Sequence, residues 1–171
     1  MKSILTIFIV LMISQSNLFA GDCFPGMTIS YSPAKHYSII WQKPTDNATH
    51  HLIYAQGKGE KPFFEFIREV CIHWEPQEKY FSLTDYEGSN VSEVYVYKTQ
   101  GPKKAFDLVD IIPPRVKQLY AKNFHSYIEV LSWTTNGLFA HVWGKGDLSP
   151  DGFDVKLKCT MKNSKMSCTE E

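Results

Sequence analysis

The sequence lacks any excess of charge. Its 18 Lys and Arg balance 18 Asp and Glu, so the formal net charge is zero. Such a balance gives no electrostatic pull toward nucleic acid or an anionic membrane, and no nucleic-acid partner is expected. A long apolar run is also missing. Ile4 to Ile13 (ILTIFIVLMI) is the longest, and it is too short to span a bilayer comfortably. None of the four cysteines has the C-x-x-C spacing of a zinc or redox site. There is no G-x-S-x-G elbow, no H-E-x-x-H, no phosphate-cradling glycine loop and no dinucleotide fingerprint. No cofactor and no metal are therefore expected, and no low-complexity tract occurs.

What is present is a globular composition. Apolar residues make up 43% and aromatics 14% of 171 residues, enough for one domain with a real core. Residues 1–20 read as a signal peptide. Lys2 gives a positive start, Ile4–Ile13 an apolar core, and Leu18-Phe19-Ala20 a cleavage site after Ala20. An uncleaved anchor is the alternative. Asp22 before Cys23 argues against lipidation. The expectation is a single mature domain over 21–171, periplasmic or secreted, with no stable membrane insertion after cleavage.

All four cysteines lie in that mature part, as suits an oxidising compartment. Asn163-Ser164 is placed to make a two-residue hairpin turn. Counting outward from it, Cys159 and Cys168 fall directly opposite in a non-hydrogen-bonded pair, about 4.5 Å apart at Cα, within reach of a disulfide. Cys159–Cys168 is therefore expected, and Cys23–Cys71 by elimination. Four free buried thiols are the alternative.

A repeat is legible. Thr28–Tyr54 aligns with Cys71–Tyr97 at an offset of 43 without a gap, so that Tyr31 falls on Trp74, Pro33 on Pro76, Tyr37 on Tyr80, Ile40 on Leu83 and Tyr54 on Tyr97. A looser copy runs over Val130–Leu157, with Trp133 on Trp74 and Asn136-Gly137 in place of the Pro turn. Each copy reads as a strand ending in an aromatic residue, a tight turn, a second strand, a polar loop and a third strand. Val94 and Val96 alternating with Tyr95 and Tyr97 give the clearest period of two. Phe63–Val70 reads as a strand leading into the second copy, and Gln56–Pro62 as a flexible Gly/Lys loop. Ala105–Ile112 is apolar and ambiguous. Pro113-Pro114 opens a short helix over Arg115–Lys122.

Tyr31-Ser32-Pro33 with Tyr37, and Trp74-Glu75-Pro76 with Tyr80–Asp85, resemble the repeat of bacterial WD-repeat-like β-propellers, where an aromatic residue and Ser-Pro-Asp-Gly precede a strand. Ala34-Lys35 and Gln77-Glu78 stand where that motif has Asp-Gly. The resemblance implies an all-β fold with one short helix, built as a propeller-like stack of antiparallel sheets. About 150 mature residues supply three blades, fewer than a closed propeller has, so the propeller is incomplete or completed by further chains. A β-sandwich is the alternative.

Three groups of residues have site-like chemistry. Asp85, Glu87 and Asn90 place oxygens around Gly88, as for Ca²⁺, but the same residue types make a plain turn. Asp46 with His36, His50 and His51 resembles a zinc set, but adjacent strand histidines point to opposite faces. Trp41, Trp143, Tyr86 and His141 form the candidate binding surface, Trp and Tyr being favoured anchors; core packing is the alternative. Asn47-Ala48-Thr49 and Asn90-Val91-Ser92 match glycosylation acceptors. The leading functional expectation is an exported, non-enzymatic protein that binds a protein or glycan partner. An extracytoplasmic hydrolase pairing Asp85 with His73 or His141 is the first alternative. A secreted enzyme inhibitor presenting Lys145–Phe153 as a loop is the second.

Overall fold

The computed structural model describes residues 21–43, 49–57, 59–122 and 125–171. The chain enters as β1 (Asp22–Phe24). β2 (Ile29–Tyr31), β3 (Tyr37–Gln42), β4 (His50–Gln56) and β5 (Gly59–Phe66) make a first sheet in that order. β6 (Glu69–Trp74), β7 (Tyr80–Tyr86), β8 (Glu93–Lys98) and β9 (Lys103–Asp107) make a second, with β1 added outside β6. Two helices follow, α1 (Leu108–Ile111) and α2 (Pro114–Lys122). β10 (His125–Thr134), β11 (Gly137–Gly146), β12 (Ser149–Lys162) and β13 (Lys165–Glu170) complete a third sheet. The fold is all-β. The named strands pair antiparallel throughout, and no sheet closes on itself.

The turns explain the strands. Ser32 N–H donates to Tyr37 O and Lys35 N–H to Ser32 O; Glu75 N–H donates to Tyr80 O and Glu78 N–H to Glu75 O. Lys35 and Glu78 both have positive φ, 61° and 57°. They occupy the place where the propeller motif carries Gly. Asn163 and Ser164 also have positive φ, 50° and 59°, and close the two-residue hairpin between Lys162 and Lys165. At the β10–β11 turn, Gly137 has φ 151°, and a Cβ there would lie 1.9 Å from Cys159 O. Only glycine lets β12 approach so closely.

Both expected disulfides form, Cys23–Cys71 and Cys159–Cys168. Each joins residues directly opposite on neighbouring strands, with Cα atoms 4.1 and 4.0 Å apart.

The sheets are stacked, and the middle one is covered on both sides. One core lies between the first and second sheets, where Ile39, Leu52, Tyr54 and Phe66 meet Val70, Ile72, Phe81, Leu83 and Tyr97. The other lies between the second and third. There Val94 and Val96 meet Ile128, Leu138, Val142 and Leu157, with Leu108, Val116 and Tyr120 of the helices. The pleat explains the division. Alternate residues of a strand point to opposite faces, so Phe81, Leu83 and Asp85 face the first sheet and Ser82 and Thr84 the third. Trp133 spans the second gap. It stacks on Tyr80 at 6.4 Å, and its indole N–H donates to Ser82 Oγ at 2.9 Å.

Several sequence expectations need correction. The structure has two short helices where one was expected. Leu108 and Ile112 are both buried, and a turn of helix brings residues four apart to one side. Pro113 then holds Ile112 extended, at ψ 157°. Phe63–Val70 is not one strand. It divides at the exposed Ile67 and Arg68 between β5 and β6, which belong to different sheets. Gln56–Pro62 is a strand-paired hairpin, with Gln56 opposite Gly59 and Gly57 at φ 59°. Lys145–Phe153 does not protrude as an irregular loop. Gly146 pairs with Ser149 and Gly144 with Phe153 across a bulge. Finally, Tyr54 lies opposite Ile39 while Val96 lies opposite Ser82. The offset of 43 holds for the first two strands and becomes 42 (96 − 54) in the third. Tyr54 thus corresponds to Val96, not to Tyr97, because the two polar loops differ by one residue.

Candidate functional site

Let the front of a sheet be the face that carries Tyr37, Ile39 and Trp41 in β3, and the back the other face. The first sheet's front packs on the second sheet's back. The second sheet's front, with Ser82 and Thr84, packs on the third sheet's back, with Trp133, Leu138, Ala140 and Val142. Among the described residues, the third sheet's front has no sheet over it.

That front carries an aromatic row along β11. Leu138, Ala140 and Val142 are buried on the back, which leaves Phe139, His141 and Trp143 on the front and only partly covered. Trp143 stacks on His141 of its own strand, with centroids 4.4 Å apart, and on Tyr127 directly across in β10, at 5.3 Å. The rings thus stand as a stack and present their edges outward. His141 lies between two carboxylates. Its Nε2 is 3.1 Å from Asp154 Oδ1, off-line for a hydrogen bond, and its Nδ1 is 3.6 Å from Glu129 Oε1. Tyr86 reaches the same cluster from the end of β7, its hydroxyl donating to Glu129 Oε2 at 3.0 Å. Burial, then the adjacent Glu129 carboxylate, raises the Tyr86 hydroxyl above the usual phenol range. Tyr127 is tied down by a hydrogen bond from its hydroxyl to Ser89 O.

The structure therefore brings together three of the four expected site residues: Tyr86, His141 and Trp143. Trp41 is elsewhere. It lies on the first sheet's front, packs on the core shared with the second sheet, and donates its indole N–H to His50 Nδ1 at 3.1 Å. Its face has a neighbouring sheet where the face of Trp143 has none among the described residues. Tyr127, Glu129 and Asp154 were missed. A period-two signal for them exists: Ser126, Ile128 and Val130 are buried between Tyr127 and Glu129, and Asp154 alternates with Val155 and Leu157.

The other candidates separate. Asp85 faces the first sheet and is 4% exposed, so its side chain is withdrawn from the Asp85–Asn90 turn. Burial, reinforced by Glu87 and Glu93, pushes its carboxyl up to about 7. His73 sits on the opposite face of that sheet, under Gly21, and burial pulls it down to about 4, against the charge of Asp22. His141 is on the far face of the third sheet. Neither acid–histidine pair of the hydrolase expectation forms. His36 Nδ1 is 2.6 Å from Glu78, His50 accepts from Trp41, and His51 is 3.4 Å from Glu65, so these histidines do not converge. Asp46, Asn47 and residues 1–20, where a signal peptide is expected, lie outside the described residues. Asn90 accepts a hydrogen bond from Ser89 Oγ. The one close set of metal-ligand types among the described residues is Cys23, Glu69 and Cys71, and its sulfurs are bonded to each other. No helix among the described residues is long and apolar enough to cross a membrane. Comparison of the chain with family models, with curated proteins and with solved structures returned no match.

Proposed function

We propose that this is an exported binding protein, periplasmic or secreted, that does no chemistry of its own and holds a protein partner on the front of its third sheet. The three sheets are read as successive blades of an incomplete propeller-like stack. The observation that carries the reading is the Tyr127–Trp143–His141 stack on a front face whose counterparts in the other two sheets are covered. Two disulfides fit an oxidising compartment. A protein partner is favoured over a glycan by the ring geometry. A sugar platform needs an open ring face, and the Trp143 ring is already stacked against His141 and Tyr127. Edges of Trp, Tyr and His beside fixed carboxylates suit a protein surface, where such residues anchor binding.

The test is capture from an extracytoplasmic extract with immobilised mature protein. Trp143→Ala and Tyr127→Ala are expected to lose the captured partner while keeping the melting temperature within a few degrees. Trp41→Ala serves as the contrast: it removes core packing and lowers the melting temperature without touching the front. Capture that survives the Trp143 and Tyr127 substitutions sinks the reading.

A further inference from the structure

The same packing step occurs twice within the chain: front on back between the first and second sheets, and front on back between the second and third. It leaves one front and one back uncovered, at opposite ends of the stack. From this we infer that the partner of the third sheet's front is the first sheet's back in a second copy of this chain, and that two copies close head to tail into a ring of six sheets. This deepens the binding reading above and rests on it.

The two open faces are complementary. The first sheet's back carries an apolar cross-strand row, with Ile29 opposite Ile40, Ile40 opposite Ile53, and Ile53 opposite Pro62. Tyr31 extends it at 52% exposure. A hollow of about 400 Å³ opens at this sheet, where Lys61 and Trp41 stand beside Ile40, Ile53, Glu60 and Pro62. Glu60 and Glu65 place two exposed carboxylates on this face, and Lys35 lies over Tyr31 at its edge. On the third sheet's front the aromatic row is flanked by exposed Lys156, Lys158, Lys162 and Lys165, while the acids Glu129 and Asp154 lie against His141. A basic, aromatic front thus meets an acidic, aliphatic back. A head-to-tail contact of this kind either closes or grows without limit. Six sheets, four of four strands and two carrying β1 as a fifth, fall within the range of closed rings of such sheets, which favours closure at two copies.

The experiment is light scattering behind size exclusion on the mature chain across a concentration series. The expected mass is that of two copies, falling to one at low concentration. A front variant, Lys156→Glu with Lys158→Glu, and a back variant, Glu60→Lys with Glu65→Lys, are each expected to stay single. All four positions are exposed, so folding is not at stake, and unchanged circular dichroism checks this. Mixing the two variants restores both contacts of a closed pair, and the two-copy mass should return. A single-copy mass for the unaltered chain at every concentration overturns the inference. So do open-ended masses, or a mixture that stays single. The binding reading fails separately: if the chain is single yet captures another protein in a Trp143-dependent way, only the second-copy inference is lost.

Discussion

Lys35 and Glu78 have the same left-handed backbone at corresponding turns, yet they respond to different forces. A non-glycine residue there is strained by about 1–3 kcal/mol. Lys35 projects to solvent over the Tyr31 ring. Lys35→Gly is expected to raise stability by about 0.5–1 kcal/mol, the relief being offset by the freedom Gly gains in the unfolded chain. Glu78 reaches back to the earlier turn, accepting from Ala34 N–H at 2.7 Å and lying 2.6 Å from His36 Nδ1. Glu78→Gly is expected to lower stability by about 1–2 kcal/mol, because charged hydrogen bonds contribute about 1.5–3 kcal/mol. Urea titration of both variants checks the opposite signs. Asp85 and His73 govern pH. A carboxyl titrates near 3.9 when unfolded and Asp85 near 7 when folded. The folded chain therefore binds more protons in between, and stability falls as pH rises across that window. His73 works the other way. Its folded value of about 4 lies below the ordinary 6.5, so stability falls as pH drops between them. The two windows overlap between about 4 and 6.5 with opposite slopes, so Asp85→Asn should make the melting temperature rise more steeply with pH there and His73→Gln should make it fall; a profile unmoved by either contradicts these assignments.

At the scale of elements, the turns and the last hairpin were legible in the sequence and the layering was not. Asn163-Ser164, Asn136-Gly137 and the two Pro turns act through local backbone conformation, which residue type reveals directly. The break at Ile67-Arg68 has no Gly, Pro or Asn to mark it, so β5 and β6 read as one strand. Trp41 and Trp143 look alike in sequence and are both half-buried, and only the stacking order sets the first against a neighbouring sheet and the second on a face without one. The two disulfides close loops of very different length, with separations of 48 and 9. In the loop-entropy account they contribute about 4 and about 2.5 kcal/mol. Replacing Cys23 and Cys71 by Ser should therefore lower the melting temperature more than replacing Cys159 and Cys168. Trp133→Phe keeps the stack on Tyr80 but removes the hydrogen bond to the fully buried Ser82 hydroxyl. The expected loss is about 1–3 kcal/mol, read by urea unfolding.

At the scale of the whole molecule, the all-β class and three strands of each unit followed from period and turn spacing, while the fourth strand did not. Which face of each unit is covered depends on contacts between residues 40 to 60 positions apart, such as Trp133 with Ser82 and Trp74 with Ser30, and no local pattern encodes those. The site was legible to the same degree. Aromatic types marked Trp143, Tyr86 and His141, while Glu129 and Asp154 became visible only when β10 and β12 were placed beside β11. One further consequence follows from β1. Among the described residues this three-residue strand is the only one paired to the free side of β6, and Cys23–Cys71 is its covalent hold. An uncovered strand side is a template for foreign strands. Reduction would thus turn the middle sheet into a seed for aggregation while both cores are still packed. Turbidity on mild warming in reductant should appear in the native chain and in the Cys159→Ser/Cys168→Ser variant alike. Without reductant it should appear only where Cys23 and Cys71 have been replaced. The Cys23–Cys71 bond would then act as a guard on solubility, one that is set only where the surroundings are oxidising.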